Sequence, residues 1–327
     1  MAVPTLSINL QADHIVTFTT STTTSTTTST MPPTPKPPNV TIIHPDLGIG
    51  GAERLIIDVA LALQSRGHRV TIYTSHRDPA HCFEEARDGT LDVRVRGNTL
   101  FPAHVGGRLH VLMAVLRQLH LTVDVLGELS APSPSSSSTT EGEEGRGDIF
   151  IVDQLAACVP VLKILGESFT PPSRRDTQRI LFYCHFPDQL LARRHEGGSL
   201  LRVAKGVYRF PFDWFEGWAI SAADKVVANS RFTRGVVSEV FGGGAGTEKL
   251  GDVSVVYPCV DTNQAGPGGS GAQEIWDGKR ILLSINRFER KKGMELAIRA
   301  YHGLGEEGRK GVRLVVAGMI YPRRLLC

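Results

Sequence analysis

The sequence predicts an α/β protein with a parallel, doubly wound sheet, and three observations carry that expectation. Short apolar runs at 40–43, 70–73, 148–153, 179–185, 225–229 and 253–257 alternate with helical patterns, which is the rhythm of successive β-α-β units. A glycine loop, Gly48-Ile49-Gly50-Gly51-Ala52-Glu53-Arg54, stands between the first run and the first helix. Polar residues gather at the carboxyl ends of the strands, where open α/β sheets take their ligands.

In chain order, Val40-Thr41-Ile42-Ile43 reads as the first strand. The glycine loop lets backbone approach a polar ligand without a Cβ in the way, and the free N–H groups of the following helix favour an anion. A dinucleotide fingerprint would place a third glycine where this chain has Glu53, so a nicotinamide cofactor is disfavoured. The helix is marked by the stripe Ile56, Val59, Ala60 and Leu63, by Glu53 in its first turn, and by Gly67 as its cap. Val70-Thr71-Ile72-Tyr73 completes the first β-α-β unit. The polar stretches 132–147, 242–251 and 265–272 read as surface insertions. A domain boundary is expected near Asp261, with 39–261 as a first domain and 262–279 as a linker. A second domain then begins at the strand 280–285. That strand ends in Asn286-Arg287-Phe288-Glu289-Arg290-Lys291-Lys292-Gly293, and Met294, Leu296, Ala297, Ile298 and Ala300 open a helix.

Composition narrows the function classes. The chain has 327 residues, 41% of them hydrophobic and 21% charged, as expected of a globular core. A net charge of +3 is too small to imply nucleic acid. The five cysteines form no C-x-x-C pair, which argues against a zinc site and against a secreted disulfide framework. Residues 1–38, with a Ser/Thr tract and a proline cluster, read as a disordered tail. The sequon Asn39-Val40-Thr41 runs into the first strand and is expected to be unused.

His44, Asp153-Gln154, His185-Phe186-Pro187-Asp188 and Asn229-Ser230-Arg231 each end a strand. Singly, each has a structural explanation: a hydrogen-bonded histidine, a helix cap, a helix start. Together they form a polar rim that packing does not explain. Arg287 and Lys292 flank the strand-to-helix turn of the second unit, where fixed positive charge can hold a diphosphate and stabilise its departure.

These motifs carry a resemblance. His44-Pro45-Asp46, the glycine loop, Val152-Asp153-Gln154, Tyr183-Cys184-His185-Phe186-Pro187-Asp188, Tyr208-Arg209-Phe210-Pro211-Phe212-Asp213-Trp214-Phe215-Glu216, Val227-Ala228-Asn229-Ser230, Val256-Tyr257-Pro258-Cys259-Val260-Asp261 and Ser284-Ile285-Asn286-Arg287 onward to Lys292 are its basis. Over residues 39 to about 318 the chain resembles the retaining GT-B glycosyltransferases, and among them the dolichol-pathway α-1,3/α-1,6-mannosyltransferases. The resemblance implies two Rossmann-like domains facing a cleft, GDP-mannose as donor, and a dolichol-diphosphate-linked oligosaccharide as acceptor. It also implies the cytosolic face of the endoplasmic reticulum membrane, and other glycosyltransferases of the pathway as possible partners. It assigns His185 to catalysis, Gly50, Gly51, Arg287 and Lys292 to the donor, and His44, Asp153, Asp188, Lys205 and Arg209 to the acceptor. No Asp-x-Asp occurs in the sequence, in keeping with a fold that needs neither metal nor other cofactor.

One stretch departs from the family pattern. After Val315-Val316-Ala317-Gly318 the chain reads Met319-Ile320-Tyr321-Pro322-Arg323-Arg324-Leu325-Leu326-Cys327, without the family's acidic E-x7-E motif. The second domain is therefore expected to be incomplete, with 319–327 an out-of-frame ending or a short isoform. The chain alone is expected to make no mannosylated lipid. Two segments point to a membrane surface: 109–116, readable as core or interface, and 200–210, where Lys205 and Arg209 lie four apart on one helical face. A noncatalytic lipid- or partner-binding protein and a sugar-nucleotide epimerase stay open as alternatives.

Overall fold

The computed structural model describes residues 37–105, 109–130, 148–169, 178–191, 199–242, 250, 252–259, 278–286, 288 and 292–318, without the side chains of 148, 167–169, 191 and 199–205. The expected tail up to residue 36, the insertions 132–147 and 265–272, most of 242–251, the boundary at Asp261, the linker 262–279 up to residue 277, Arg287 and the ending 319–327 lie outside the described residues.

The first β-α-β unit forms as the pattern requires. Strand β1 (Asn39–His44) runs into helix α1 (Gly51–Ser65), which returns to β2 (Arg69–Thr74). Helix α1 buries Leu55, Ile56, Ile57 and Ala60. Its end is a Schellman motif: Gly67, at φ 84°, donates its N–H to Gln64 O at 2.9 Å, and His68 donates to Leu63 O at 3.1 Å. The following elements are β3 (Asp92–Val95), α2 (His110–Ser130), β4 (Asp148–Asp153), α3 (Val159–Phe169) and β5 (Arg179–Cys184). After them come α4 (Asp188–Leu191), α5 (Ser199–Ser221), β6 (Lys225–Ala228), α6 (Arg231–Phe241) and β7 (Ser254–Val255).

The seven strands make one sheet in the order β3-β2-β1-β4-β5-β6-β7, and every adjacent pair is parallel. Both faces are covered. Ile43, Tyr73, Phe150, Val152 and Phe182 pack on one side with Leu121 and Val125 of α2 and Leu162 of α3. Val40, Ile42, Val70, Ile72 and Ile151 pack on the other with Ile56, Ile57 and Ala60 of α1. Successive residues of β1 and β4 thus enter opposite cores, as the two-residue period of a strand demands, and the strands read as continuous apolar runs because neither face meets water.

The edge strand β3 was not foreseen. Residues 110–116 of the apolar stretch 109–116, readable as core or interface, open the 21-residue helix α2, and Met113 among them is buried. Among the described residues no helix is long and apolar enough to cross a membrane.

A separate two-stranded parallel sheet pairs β8 (Arg280–Ile285) with β9 (Val312–Ala317). Between them lie α7 (Met294–Gly303) and α8 (Gly305–Arg309), neither of which buries a residue.

Candidate functional site

In a parallel sheet the chain leaves consecutive strands in opposite directions at one point, opening a crevice beyond their carboxyl ends. Here that point lies between β1 and β4, whose neighbours on either side are β2 and β5. His44 ends β1, Asp153 ends β4 and His185 follows β5, so the strand order alone brings together three residues scattered through the sequence.

Asp153 sits between the two imidazoles. His44 Nδ1 lies 2.7 Å from Asp153 Oδ2, and both side chains are fully buried. His44 Nε2 lies 3.0 Å from the Asp46 carbonyl oxygen. Both partners are acceptors, so the doubly protonated ring satisfies both nitrogens. The electrostatics agree. Burial alone would lower the proton affinity of His44, but the hydrogen bond and charge of Asp153, with smaller help from Glu53 and Asp46, carry it above the usual histidine range. Burial would likewise raise Asp153, yet His185 and His44 hold it below the ordinary carboxylate range. His185 Nε2 approaches Asp153 Oδ1 to 2.6 Å, within ion-pair distance but not aligned as a hydrogen bond.

The His185 backbone is fixed from α6. Asn229 Nδ2 donates to the His185 carbonyl at 3.0 Å, and Thr233 Oγ1 donates to the same oxygen at 3.4 Å. Ser230 caps the helix, accepting from Thr233 N at 3.1 Å. The polar strand-end triplet Asn229-Ser230-Arg231 is thus two-thirds scaffold: Asn229 holds the histidine and Ser230 starts the helix.

A cleft of about 480 Å³ opens over this cluster, lined among others by Ala52, Ser75, Arg117, Gln154, His185 and Asp188. Gln154, at φ 63°, lies in the left-handed region, and Leu155 N–H closes a tight turn onto Asp153 O at 2.8 Å. Such a turn in a non-glycine residue is strained, and strain of this kind collects at functional sites. Gln118 braces it: its Nε2 donates to Leu155 O at 2.5 Å and its Oε1 accepts from Cys158 N at 3.1 Å.

Gly50 caps α1 in extended backbone that any residue adopts, and a Cβ there would run into the flexible Glu53 carboxylate. A Cβ on Gly51 would meet nothing. The pair therefore leaves the start of α1 uncovered at the cleft wall, where Ala52 lies.

Asp188 lines the cleft from α4, while its N–H and that of Gln189 donate to Glu216 at 2.6 and 3.1 Å. Burial, reinforced by the nearby Asp188 charge, pushes the Glu216 carboxyl up to about 7. Arg209 corrects an expectation. Its spacing from Lys205 predicted an exposed basic face, but the guanidinium is buried between Asp188 at 3.1 Å and Asp213 at 3.0 Å. Two carboxylates on the inner side outcompete solvent for a guanidinium. The Lys205 side chain lies outside the described residues. What α5 does expose is apolar: Val207, Phe210, Trp214 and Trp218 recur at helical spacing, the two indoles stacked 6.5 Å apart.

The site reading missed Ser75, Arg117, Gln118 and the acidity of Glu216. Arg117-Gln118 interrupts an apolar helical pattern, which was the one available signal. Lys292 is exposed two residues before α7, and its intended companion Arg287 is outside the described residues.

A family model described as Glycosyltransferase Family 4 matches residues 49–137, a stretch that takes in the glycine loop from Ile49 and all of α2. The chain is 44% identical over 288 residues to an α-1,3/1,6-mannosyltransferase of Neurospora crassa, covering 85% of this chain and 55% of that protein. It is 40% identical over 291 residues to the α-1,3/1,6-mannosyltransferase of Saccharomyces cerevisiae, covering 85% and 49%. The chain thus spans about half the length of the curated relatives it matches. Among solved structures it resembles WaaG, a glycosyltransferase involved in lipopolysaccharide biosynthesis, at 13% identity and a TM-score of 0.51, covering 88% of this chain and 65% of that one. It also resembles the α,α-trehalose 6-phosphate synthase of Burkholderia multivorans, at 15% identity and a TM-score of 0.50, with 88% and 65% covered. The chain is a GT-B-fold homologue of the α-1,3/1,6-mannosyltransferases and carries a Glycosyltransferase Family 4 segment.

Proposed function

We propose that this protein acts in the transfer of mannose from GDP-mannose to a dolichol-diphosphate-linked oligosaccharide, forming α-1,3 or α-1,6 linkages with retention, at the cytosolic surface of the endoplasmic reticulum membrane. Identity of 40% or more to proteins named α-1,3/1,6-mannosyltransferases, across most of the chain, carries the reading. The cleft of the seven-stranded sheet is its acceptor side. His185, at the rim, can exchange hydrogen bonds with a sugar hydroxyl while the buried Asp153 fixes its ring, and the His44 imidazolium offsets the carboxylate so that it stays ionised. On the donor side, Lys292 and Arg287 stabilise the leaving diphosphate, with Gly50 and Gly51 admitting it to the first sheet. The apolar face of α5 rests on the membrane surface, where indole rings prefer to sit.

The test supplies the chain with GDP-mannose and a short-chain, diphosphate-linked mannosyl-chitobiose, and follows acceptor binding and product together. Extended glycolipid whose formation falls by about 10²–10³-fold in His185→Ala supports the full reading and overturns the expectation that the chain alone makes none. Acceptor binding that His185→Ala abolishes, without product, reduces the reading to a binding protein. No acceptor binding contradicts it.

A further inference from the structure

We infer that the floor of this cleft holds a subsite for a phosphate-class anion, built by Ser75 and Arg117. Ser75 follows β2 and is 2% exposed; it lines the cleft, yet its hydroxyl has no hydrogen-bond partner. Arg117 enters the same cleft from α2, and its Nη2 donates to the Ser75 carbonyl at 3.2 Å, which draws the guanidinium alongside the serine. Its Nε is enclosed and also lacks a partner. Among the described residues no carboxylate pairs with Arg117, whereas the two carboxylates lining the cleft are already matched, Asp46 by His76 and Asp188 by Arg209, each at 3.1 Å.

Two adjacent enclosed donors, one of them cationic, without an acceptor are costly to maintain, and a ligand that supplies the acceptors removes the cost. The ligand must carry negative charge, since a neutral sugar hydroxyl leaves the guanidinium uncompensated. It must also present several diverging oxygens. A carboxylate spends both of its oxygens on the guanidinium fork, but a phosphate keeps a third for the serine hydroxyl. The volume of about 480 Å³ leaves room for a diphosphate and an attached group. The inference rests on reading the cleft as a substrate site, and not on which sugar is transferred. A diphosphate reaches this site from a nucleotide or from a lipid carrier, and the chemistry at Ser75 and Arg117 is the same for both.

Calorimetric titration of the intact chain with inorganic pyrophosphate, GDP and farnesyl diphosphate tests it. Pyrophosphate should bind, with affinity lowered about tenfold in Arg117→Gln, about threefold in Ser75→Ala, and by an intermediate factor in Arg117→Lys, which keeps the charge and loses the fork. Thermal melting of each variant alone shows whether it is folded. Farnesyl diphosphate binding above GDP assigns the subsite to a lipid-linked diphosphate; the reverse order assigns it to a nucleotide. Variant affinities within about twofold of the parent, or no binding of any of the three, overturn the subsite. Pyrophosphate titration involves no sugar transfer, so loss of the subsite and loss of the transfer reading remain separable.

Discussion

The two parallel sheets of this molecule are built with the same local devices and end in different physical states. Each has a strand, a helix with glycine at its N-cap and a returning parallel strand. In the seven-stranded sheet both faces are closed, so that Ile42, Ile43, Ile72 and Val152 have no exposed surface. In the two-stranded sheet Leu283 and Ile285 are 56% and 69% exposed, and Leu296 of its helix is 75% exposed. Local sequence is sufficient to make a β-α-β unit, but excluding water from it takes a second layer. The difference reaches the charges. His44 and Asp153 interact across a dry interior at full strength, while Lys292 on the second unit stands in solvent, where its field is screened within about 8–10 Å.

Removing a charge from the closed region should have the largest effect. Asp153→Ala leaves the His44 imidazolium without its counterion, and the chain should lose about 3–5 kcal/mol of stability in urea denaturation. A loss below about 1 kcal/mol would show that the two regions are equally hydrated.

The next effect is read in pH. The Glu216 carboxyl, raised from 4.5 to about 7, binds its proton more tightly folded than unfolded, so its contribution is present at low pH and lost as pH rises from about 4.5 to 7. By the shift alone that is roughly 3 kcal/mol. His44, also raised, loses its contribution as pH climbs above 6.5, and Asp153, lowered, loses its own only as pH falls below 3.8. Stability should therefore decline as pH rises from about 4.5 to 7, and Glu216→Gln should remove most of the decline. An unchanged slope in the variant would place Glu216 in water rather than in the core. The smallest effect belongs to the open region: Ile285→Ser and Leu283→Ala should each change stability by no more than about 0.5 kcal/mol. A loss of about 2 kcal/mol or more in either would mean that this face is covered in solution.

Which features could be read from sequence follows from the same contrast. Strands β1, β4 and β5 were legible because burial on both faces makes each an unbroken apolar run. Strand β3 was not, because Asp92-Val93-Arg94-Val95 lies at the sheet edge and spends its charges on Glu128 of α2 and on its own Asp92–Arg94 pair. His44, Asp153 and His185 were recognisable as strand ends, but the contact of His44 with Asp153, 109 residues apart, exists only because β4 inserts beside β1. Arg209 shows the limit of helical spacing. A four-residue interval fixes which residues share a face but not which way the face points, and here Asp188 and Asp213 decide. Ser75, Arg117 and Gln118 gave almost no signal, since the cleft they line is assembled from β2, α2 and the turn after β4.

The claim that the closed region holds the acceptor site is tested most directly by titrating the chain with the short-chain, diphosphate-linked mannosyl-chitobiose while observing the histidine side chains by ¹⁵N NMR. The account predicts that His185 resonances shift on binding, that His44 holds its second proton to higher pH than an ordinary histidine, and that His185→Ala weakens the acceptor by at least about tenfold. Saturable binding that leaves His185 unperturbed and survives His185→Ala would contradict it.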